Sequence, residues 1–440
     1  MLSKDHFFQF SPIALAIILG LAAIAILGPH NPDFVDSADY LAAARMILTD
    51  GAYPAVGGLP FFRAPLYPGF IAAIWSVFPE SILAIKIAQV GLHGITCWLI
   101  FRIVMLITEN KQLSLVGAIL FAINPFFLHE SAAIQTENLQ IFLITLSLFI
   151  VIRMILANKI ELKSAALLGI VCGLAALNKP SALAVGAFFA VAFFLFKYRL
   201  KGSLLAAAAV VLFMFIAVLP WSLYNAKTRG EFILINDGGG FALWFGNLPD
   251  TLRLYEGSFA SRAEAVDYQE YLGKTLSREQ INEWESTSGY ESLSFKQREA
   301  LWQNAAIENM TANPGLTARL FAWKFYNYWK PYVSSDIYSM KAVALSAVTS
   351  VPLYFFGFLG ILKTAKDKRV GKIAWLFGLM AVFVTLIHVV VVSSMRLRLP
   401  YVDPFLTAFA GIGLGSLLLR YVEKFEFSGF IGNLRQVGPG

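Results

Sequence analysis

"IALAIILGLAAIAIL", residues 13–27, contains no charged or polar side chain. The stretch follows a short polar lead and is followed by "GPHNP" (28–32), which lacks a small-residue cleavage motif. We therefore predict a retained first membrane span and not a removed signal peptide. The chain of 440 residues is 58% hydrophobic and 14% charged, whereas soluble domains carry about 25% charged residues. This composition predicts a polytopic membrane protein and excludes a large soluble enzyme.

Ten apolar segments are long enough to span the bilayer core, and a count of nine to eleven fits the same pattern. The fifth and sixth are short and joined by "LNKPS" (177–181), where Pro180 breaks the helix. The apolar stretch 63–79 is short and bounded by prolines, which predicts a helix lying in the membrane interface. The predicted fold class is an all-α polytopic membrane protein with spans near 11–28, 81–107, 113–129, 138–157, 164–178, 181–197, 203–221, 341–362, 372–393 and 401–419.

Basic residues predict the orientation, because they are enriched in cytoplasmic loops. With ten spans, four basic clusters fall on one side, so we expect both termini in the cytoplasm and two polar regions on the extracytoplasmic side. We predict an N-terminal membrane module (1–220) with a first loop at 29–80, a helical extracytoplasmic lobe (221–340) and C-terminal membrane helices (341–440). The clusters are Arg153, Lys159 and Lys163; Lys197, Arg199 and Lys201; Lys363, Lys366, Lys368, Arg369 and Lys372; and Arg420 and Lys424.

Several charged residues lie at predicted span ends, where a charge needs a partner or a role. Asp36 and Asp39 follow the first span, and the structural alternative is that Asp36 or Ser37 caps a short helix. For Arg63, and for Arg396 and Arg398 in "RLRLP", the structural alternative is a side chain that reaches the interface. Arginine pairs at that depth also suit a lipid-linked phosphate.

Other chemistries have little support in the sequence. Cys97 and Cys172 lie in apolar segments and are predicted to be core residues. The five histidines have no metal-binding spacing, and the glycine-rich stretch 230–247 lacks the GK[ST] of a nucleotide phosphate loop. We expect no nucleic-acid partner.

Six stretches, in this order along nearly the whole chain, resemble the multispanning C-type glycosyltransferases that use polyprenyl-phosphate sugars. The resemblance is to bacterial relatives of protein O-mannosyltransferases and of the lipid A aminoarabinose transferase. The stretches are "DSADYLAAARMILTDGAY" (36–53), "RAPLYPGF" (63–70), "NPFFLHESAAIQTENL" (124–139), "GLAALNKPSAL" (173–183), "LPWSLYNAKTRGEFILINDGGGFALWFGN" (219–247) and "RLRLPYVDPFL" (396–406).

The resemblance implies an inverting displacement, in which an acceptor hydroxyl attacks the anomeric carbon and polyprenyl phosphate leaves. A carboxylate must take the hydroxyl proton, and cations must stabilise the phosphate charge. Asp36 corresponds to the catalytic base, and Asp39 remains its rival because Asp36 is followed by Ser37 where the family often has a second acidic residue. The implied substrate-binding residues are Tyr40, Arg63, Glu137, Lys179, Arg396 and Arg398.

Glu137 is implied to orient a cation or to bind the acceptor or a metal, and Lys179 stands before Pro180 where many relatives have arginine. No cofactor is required, although a divalent metal is compatible with the sequence. The implied partners are a polyprenyl-phosphate-linked sugar donor, a glycan, lipid or protein acceptor, and membrane lipids. The implied location is the plasma (inner) membrane, with the site on the extracytoplasmic side.

Three other functions fit the sequence less well. A transporter or flippase of a lipid-linked intermediate would place ionisable residues near mid-span in paired, broken helices, whereas here the charges lie at span ends. An oligosaccharide polymerase or ligase of this topology uses a loop histidine, and residues 221–340 contain none. A noncatalytic scaffold does not explain the acidic and arginine-proline motifs together.

Overall fold

The protein is an all-helical chain, as predicted. The computed structural model describes residues 4–31, 35–53, 63–157, 161–195, 200–236, 238–257, 259–336 and 338–436, and no β-strand occurs among them. The first half forms α1 (Lys4–Leu27), α2 (Val35–Asp50), α3 (Leu66–Trp75), α4 (Ile82–Thr108), α5 (Lys111–Ala122), α6 (Pro125–Ala132), α7 (Glu137–Ala157), α8 (Leu162–Asn178), α9 (Ala182–Leu195) and α10 (Leu200–Arg229).

The second half begins with short helices and ends with long ones. A π-helical turn (Tyr271–Leu276) and a 3₁₀ turn (Tyr290–Ser292) interrupt the short helices. The helices are α11 (Gly239–Gly246), α12 (Thr251–Glu256), α13 (Arg262–Glu270), α14 (Ser277–Ser288), α15 (Phe295–Ala312), α16 (Pro314–Trp329), α17 (Met340–Ala365), α18 (Gly371–Val390), α19 (Met395–Arg398) and α20 (Asp403–Gln436).

Among the described residues, seven helices are long and apolar enough to cross a membrane, fewer than the ten predicted. The predicted third span is the pair α5 and α6, which is bent by 56° and makes eight spans if it counts as one. The predicted fifth and sixth spans are α8 and α9, of 17 and 14 residues. At about 1.5 Å per residue they are shorter than the roughly 30 Å hydrocarbon core. The seven are α1, α4, α7, α10, α17, α18 and α20.

Small residues let the long helices approach closely, as is common in membrane bundles. Gly411 of α20 packs directly on Gly117 of α5: a Cβ at Gly411 would lie 2.3 Å from the Gly117 Cα, and a Cβ at Gly117 would lie 3.0 Å from the Val104 side chain of α4. Gly360 of α17 similarly faces Phe409 and Gly413 of α20. Substitution of these glycines would therefore separate the helices on which the functional end of the bundle rests.

Polar residues from several helices lie together at one end of the bundle. The buried Lys86 Nζ, at the start of α4, donates to the carbonyl of Gly28 just after α1 at 2.9 Å. Asn178, at the end of α8, donates to the carbonyl of Thr136 just before α7 at 3.0 Å. These bonds place the end of α1, the start of α4 and α7 and the end of α8 side by side. We call this the polar end of the bundle.

We call α11–α16, residues 239–329, the lobe. Its core is aromatic, with the rings of Trp244 and Trp302 4.7 Å apart. The buried Lys324 Nζ ties it to the bundle by donating to the Val391 carbonyl at 3.0 Å, and within the lobe it donates to Asn247 Oδ1 at 3.0 Å. The lobe therefore holds the segment that leads from α18 into α19. Parts of the predicted first loop (32–34 and 54–62) and the basic residues Lys159, Lys197 and Arg199 lie outside the described residues.

Candidate active site

Asp36 and Asp39 lie on the same face of α2, one helical turn apart. Arg63, just before α3, binds both carboxylates. Its Nη2 donates to Asp36 Oδ1 at 2.7 Å and to Asp39 Oδ2 at 2.9 Å, and its Nε donates to Asp39 Oδ2 at 3.1 Å. The helix cap that was the structural alternative is not formed by these side chains. Asp36 instead pairs with arginine, and the Ser37 hydroxyl donates to the Ile134 carbonyl at 2.9 Å.

Arg396 of α19 joins this acidic pair to a second carboxylate. Its Nη1 donates to Asp36 Oδ2 at 3.3 Å, and its Nε donates to Glu137 Oε1. Lys179 Nζ, just after α8, donates to the same Glu137 oxygen at 2.7 Å. The Glu137 side chain is fully buried, whereas those of Asp36 and Arg396 are 30% and 39% exposed. Asp36 and Arg396 are thus accessible to a ligand. The buried Glu137 binds Lys179 and Arg396 on the side away from solvent.

Tyr40 supports Arg63 and is 4% exposed. The Arg63 guanidinium lies over its ring at 5.3 Å, a cation–π contact. Burial raises the pKa of the Tyr40 hydroxyl to about 12. Tyr40 stacks edge-on against Tyr67 at 5.1 Å, and the Tyr67 hydroxyl donates to Gln89 Oε1 at 2.8 Å. The predicted role of Tyr40 in substrate binding is therefore indirect in this arrangement, because the ring orients the arginine.

Arg398 is the predicted site residue that does not contact the other predicted site residues among those the structure describes. It is 1% exposed, and its Nε and Nη2 bind the two oxygens of Asp403 at 2.8 and 3.0 Å. Its Nη1 donates to the Tyr328 carbonyl at 2.7 Å. Because these donors bind Asp403 and the Tyr328 carbonyl, the Arg398 guanidinium is not available to a phosphate. Arg398 is therefore not part of the proposed site.

We call Asp36, Asp39, Arg63, Glu137, Lys179 and Arg396 the ionic cluster; they are three carboxylates and three cations that alternate in space. Burial alone would lower the pKa of Arg396, but Glu137, Glu130 and Asp36 outweigh it and raise that pKa above its ordinary value. Arg396 therefore stays charged at any physiological pH. A phosphate can replace the Asp36 carboxylate on Arg63 and Arg396, which frees Asp36 to accept a proton.

Sequence reasoning missed Glu130 of α6, which is 6% exposed and interacts electrostatically with Arg396. The signal available was a carboxylate just past an apolar segment, where a charge is costly. Sequence reasoning also missed an apolar groove of about 530 Å³ between α3, α7 and α8. Three ionic-cluster residues lie at the ends of these helices: Arg63 just before α3, Glu137 at the start of α7 and Lys179 just after α8. The groove is lined by Pro65, Leu66, Gly69, Phe70, Leu139, Leu143, Leu174 and Leu177.

The described part of the chain contains no group of three histidine, cysteine, aspartate or glutamate side chains that could hold a metal ion. At the ionic cluster, Asp36 and Asp39 both bind Arg63, and Glu137 binds Lys179 and Arg396. The carboxylates of this cluster are thus arranged around cationic side chains.

Residues 62–221 match the family model described as dolichyl-phosphate-mannose-protein mannosyltransferase. This segment contains Arg63, Glu137, Lys179 and the whole apolar groove. No curated protein sequence matches the chain.

Solved structures of an oligosaccharyltransferase from Archaeoglobus fulgidus share the fold. The chain matches AglB in complex with an inhibitory peptide and a dolichol-phosphate at a TM-score of 0.57 and 13% identity, covering 100% of this chain and 53% of that one. For the apo form the TM-score is 0.58 at 13% identity, covering 98% and 52%. For the complex with Zn and sulfate the values are 0.56, 14%, 96% and 51%.

The chain spans about half the length of these oligosaccharyltransferases. At such low identity the likeness shows the fold alone, and the family model adds a sequence match over the segment that carries half of the ionic cluster. Together they confirm the resemblance predicted from the sequence: the chain shares the multispanning fold of these oligosaccharyltransferases, and its residues 62–221 are similar to the dolichyl-phosphate-mannose-protein mannosyltransferase family.

Proposed function

We propose that this chain is an inverting glycosyltransferase, which moves a sugar from a polyprenyl-phosphate donor to a hydroxyl of a glycan, lipid or protein. The observation that carries the proposal is the position of Asp36 between Arg63 and Arg396, at 2.7 and 3.3 Å. A proton acceptor and two phosphate-binding cations are the parts that such a displacement needs. The family match at residues 62–221 and the dolichol-phosphate bound by the matched AglB structure support this donor class.

In the proposed reaction the donor phosphate binds Arg63 and Arg396, whose planar guanidinium groups can each contact two phosphate oxygens. Asp36 takes the proton of the acceptor hydroxyl. The oxygen forms a bond to the anomeric carbon from the face opposite the phosphate, and the bond from that carbon to the phosphate oxygen breaks. The leaving phosphate keeps the electron pair, and its added charge is stabilised by the arginines. Charged side chains supply every part of this scheme, so no step requires a metal.

The apolar groove is the proposed place for the polyprenyl chain. Its walls are leucines and a phenylalanine, and it runs along α7 and α8, whose ends carry Glu137 and Lys179. An isoprenoid chain would thus be buried against apolar side chains while its phosphate reaches the cations, with about 25 cal/mol gained per Å² of apolar surface covered.

We propose that the site faces the extracytoplasmic side of the plasma membrane. At the opposite end of α4, Arg369 Nη1 lies 2.7 Å from Glu109 Oε1, and its Nη2 donates to the Ile107 carbonyl. The turn between α17 and α18, which carries Lys366, Lys368 and Arg369, therefore lies at the end far from the ionic cluster. Basic loops are typical of the cytoplasmic side, so the ionic cluster is on the other side.

The test compares donors. Purified protein in lipid nanodiscs would be given tritiated hexoses or pentoses linked either to polyprenyl phosphate or to a nucleotide diphosphate. We expect release of the sugar, or its transfer, from a polyprenyl-phosphate donor with inversion at the anomeric carbon. Turnover of the nucleotide sugar alone would refute the donor class, and retention of configuration would refute the displacement scheme.

A further inference from the structure

Glu130 of α6 is a buried carboxylate with an unused oxygen. The residue is 6% exposed, and Oε1 lies 3.2 Å from Nδ1 of His129. Oε2 has no hydrogen-bond partner among the described residues, although it is shielded from solvent. A buried polar atom left in this state costs free energy, and the cost is larger when the atom is charged. An atom of this kind therefore indicates a place where a bound molecule supplies the missing donor.

The surroundings of Glu130 connect it to the proposed site. The negative charge of Glu130 contributes to raising the pKa of Arg396. Within the ionic cluster, Arg396 binds Glu137 through Nε and Asp36 through Nη1. The cluster's own carboxylates each contact an arginine or lysine. Among the described residues, Glu130 forms no ion pair with an arginine or lysine, so it can accept hydrogen bonds from a ligand without breaking one.

A polar cleft of about 350 Å³ lies between the start of α13 and the segment before α17. Tyr338 links this cleft to Glu130, because it lines the cleft and its hydroxyl interacts electrostatically with Glu130, Arg396 and Arg262. Six of its eight lining residues carry a hydroxyl or a charge, in contrast to the apolar groove. The polar lining consists of Ser261, Arg262, Ser335, Asp336, Tyr338 and Ser339.

We propose that Glu130 is an acceptor-binding residue that receives a hydrogen bond from a saccharide acceptor, which enters through the polar cleft. This inference rests on the proposed glycosyltransferase function and adds the class of acceptor. A saccharide presents several hydroxyl donors to one small site, and a carboxylate in a low-dielectric setting binds such donors well. An acyl chain would bury the polar lining without satisfying it. A peptide acceptor is the rival that the experiment must separate.

The test separates acceptor binding from chemistry by using water as a second acceptor. Protein in nanodiscs would receive the tritiated polyprenyl-phosphate sugar that the wild type turns over. Hydrolysis would be measured without acceptor, and transfer would be measured to methyl α-mannobioside, to methyl β-maltoside and to a serine- and threonine-rich peptide. For Glu130→Gln we expect an acceptor KM at least tenfold higher, with hydrolysis and the donor KM within twofold of wild type.

Two further variants complete the design. Tyr338 is 45% exposed, so Tyr338→Phe should fold, and we expect a smaller rise in the saccharide KM, about two- to tenfold. Glu80→Gln is the matched control, because Glu80 is an exposed carboxylate paired with Arg45 outside the cluster. It should match the wild type throughout.

The inference is overturned if Glu130→Gln and Tyr338→Phe leave the saccharide KM unchanged, or if Glu130→Gln loses hydrolysis and transfer equally, since Glu130 would then serve the chemistry or the fold. Transfer by the wild type to the peptide alone would overturn the saccharide class. A wild type that turns over no polyprenyl-phosphate sugar would instead refute the proposed function itself.

Discussion

Arg63 and Arg396 hold opposite oxygens of one carboxylate: Arg63 Nη2 lies 2.7 Å from Asp36 Oδ1, and Arg396 Nη1 lies 3.3 Å from Asp36 Oδ2. One arginine precedes α3 and the other belongs to α19, so the two halves of the chain meet at Asp36. Without a ligand, the carboxylate neutralises the cations and holds them in place. A phosphate that binds between them would replace this role and leave Asp36 available to accept a proton from the acceptor.

The first prediction distinguishes the two aspartates of α2. Asp36→Asn removes the proposed base, and we expect kcat for sugar transfer to fall by about 10²- to 10⁴-fold. Among the described residues, Asp39 accepts side-chain hydrogen bonds from Arg63 alone, through Nε and Nη2. Asp39→Asn should weaken the orientation of Arg63 and reduce kcat/KM by about tenfold. Initial rates with a radiolabelled polyprenyl-phosphate sugar would measure both.

Both asparagine variants preserve side-chain size, and thermal unfolding would show whether they fold like the wild type. If Asp36→Asn kept its activity while Asp39→Asn lost it, the base would be Asp39. Equal losses would mean that the pair acts as one unit around Arg63.

The second prediction concerns the geometry of Arg63. Its guanidinium binds two carboxylates through Nε and Nη2 and lies over the Tyr40 ring. Lysine keeps the charge but has no planar fork, so Arg63→Lys should raise the donor KM by tenfold or more. Arg45→Lys is the matched control, because Arg45 of α2 is in an exposed pair with Glu80. Its KM should be unchanged, and equal effects of the two substitutions would contradict a specific role for Arg63.

Apolar segment length predicted the helices but not how many of them cross a membrane. The predicted segments at 164–178 and 181–197 correspond to α8 and α9, whose short length is set by the break at Lys179 and Pro180. The bend between α5 and α6 comes from "INP" (123–125), in which Asn124 caps α6 through its side chain and Pro125 begins the new helix. Hydropathy alone averages over such a bend.

All six residues of the ionic cluster were among the site residues named from the sequence motifs, but the motifs could not separate Arg396 from Arg398. Residues two apart on a helix point to different faces. In "RLRLPYVD" the first arginine faces the cluster, and the second faces Asp403 in the protein interior. Which arginine binds Asp403 depends on how the chain turns between α19 and α20, and residue spacing alone does not contain that information. Glu130 was missed because its neighbours Arg396 and Tyr338 lie far away in sequence.

The third prediction tests the apolar groove. A side chain added at Gly69 would meet no protein atom within 4 Å, so Gly69→Leu should fold normally and fill the groove. We expect the KM for a long-chain polyprenyl-phosphate donor to rise at least tenfold, with little change for a donor of one or two isoprene units. Gly378→Leu on α18 is the control, because it too faces open space but lies away from the groove. Equal effects on long and short donors would contradict this place for the chain.

The fourth prediction concerns the buried carboxylate of Glu137. It is fully buried and binds Lys179 Nζ at 2.7 Å and Arg396 Nε. Glu137→Gln would leave two cations poorly compensated, and loss of one partner of a buried pair costs about 3–5 kcal/mol. The double variant Glu137→Gln with Lys179→Met should be more stable than Glu137→Gln alone, because one unpaired charge is then removed. Unfolding in detergent would measure this, and simple additivity would contradict the ion pair.

The fifth prediction concerns pH and Lys324, which ties the lobe to the segment before Arg396. Lys324 is fully buried, and burial lowers the pKa of its ammonium group to about 7, against about 10.4 in an unfolded chain. Between these values the unfolded chain binds a proton that the folded protein does not. The free energy of unfolding should therefore rise by up to about 1.4 kcal/mol per pH unit from pH 7 to 10 through this group.

Lys324→Met should remove this pH-dependent component, although it also loses the hydrogen bonds to Asn247 and Val391 and is less stable overall. The decisive quantity is the slope of stability against pH in the two proteins, because other titrating groups contribute equally to both. Parallel slopes would mean that Lys324 stays protonated in the fold, held by its three oxygen acceptors.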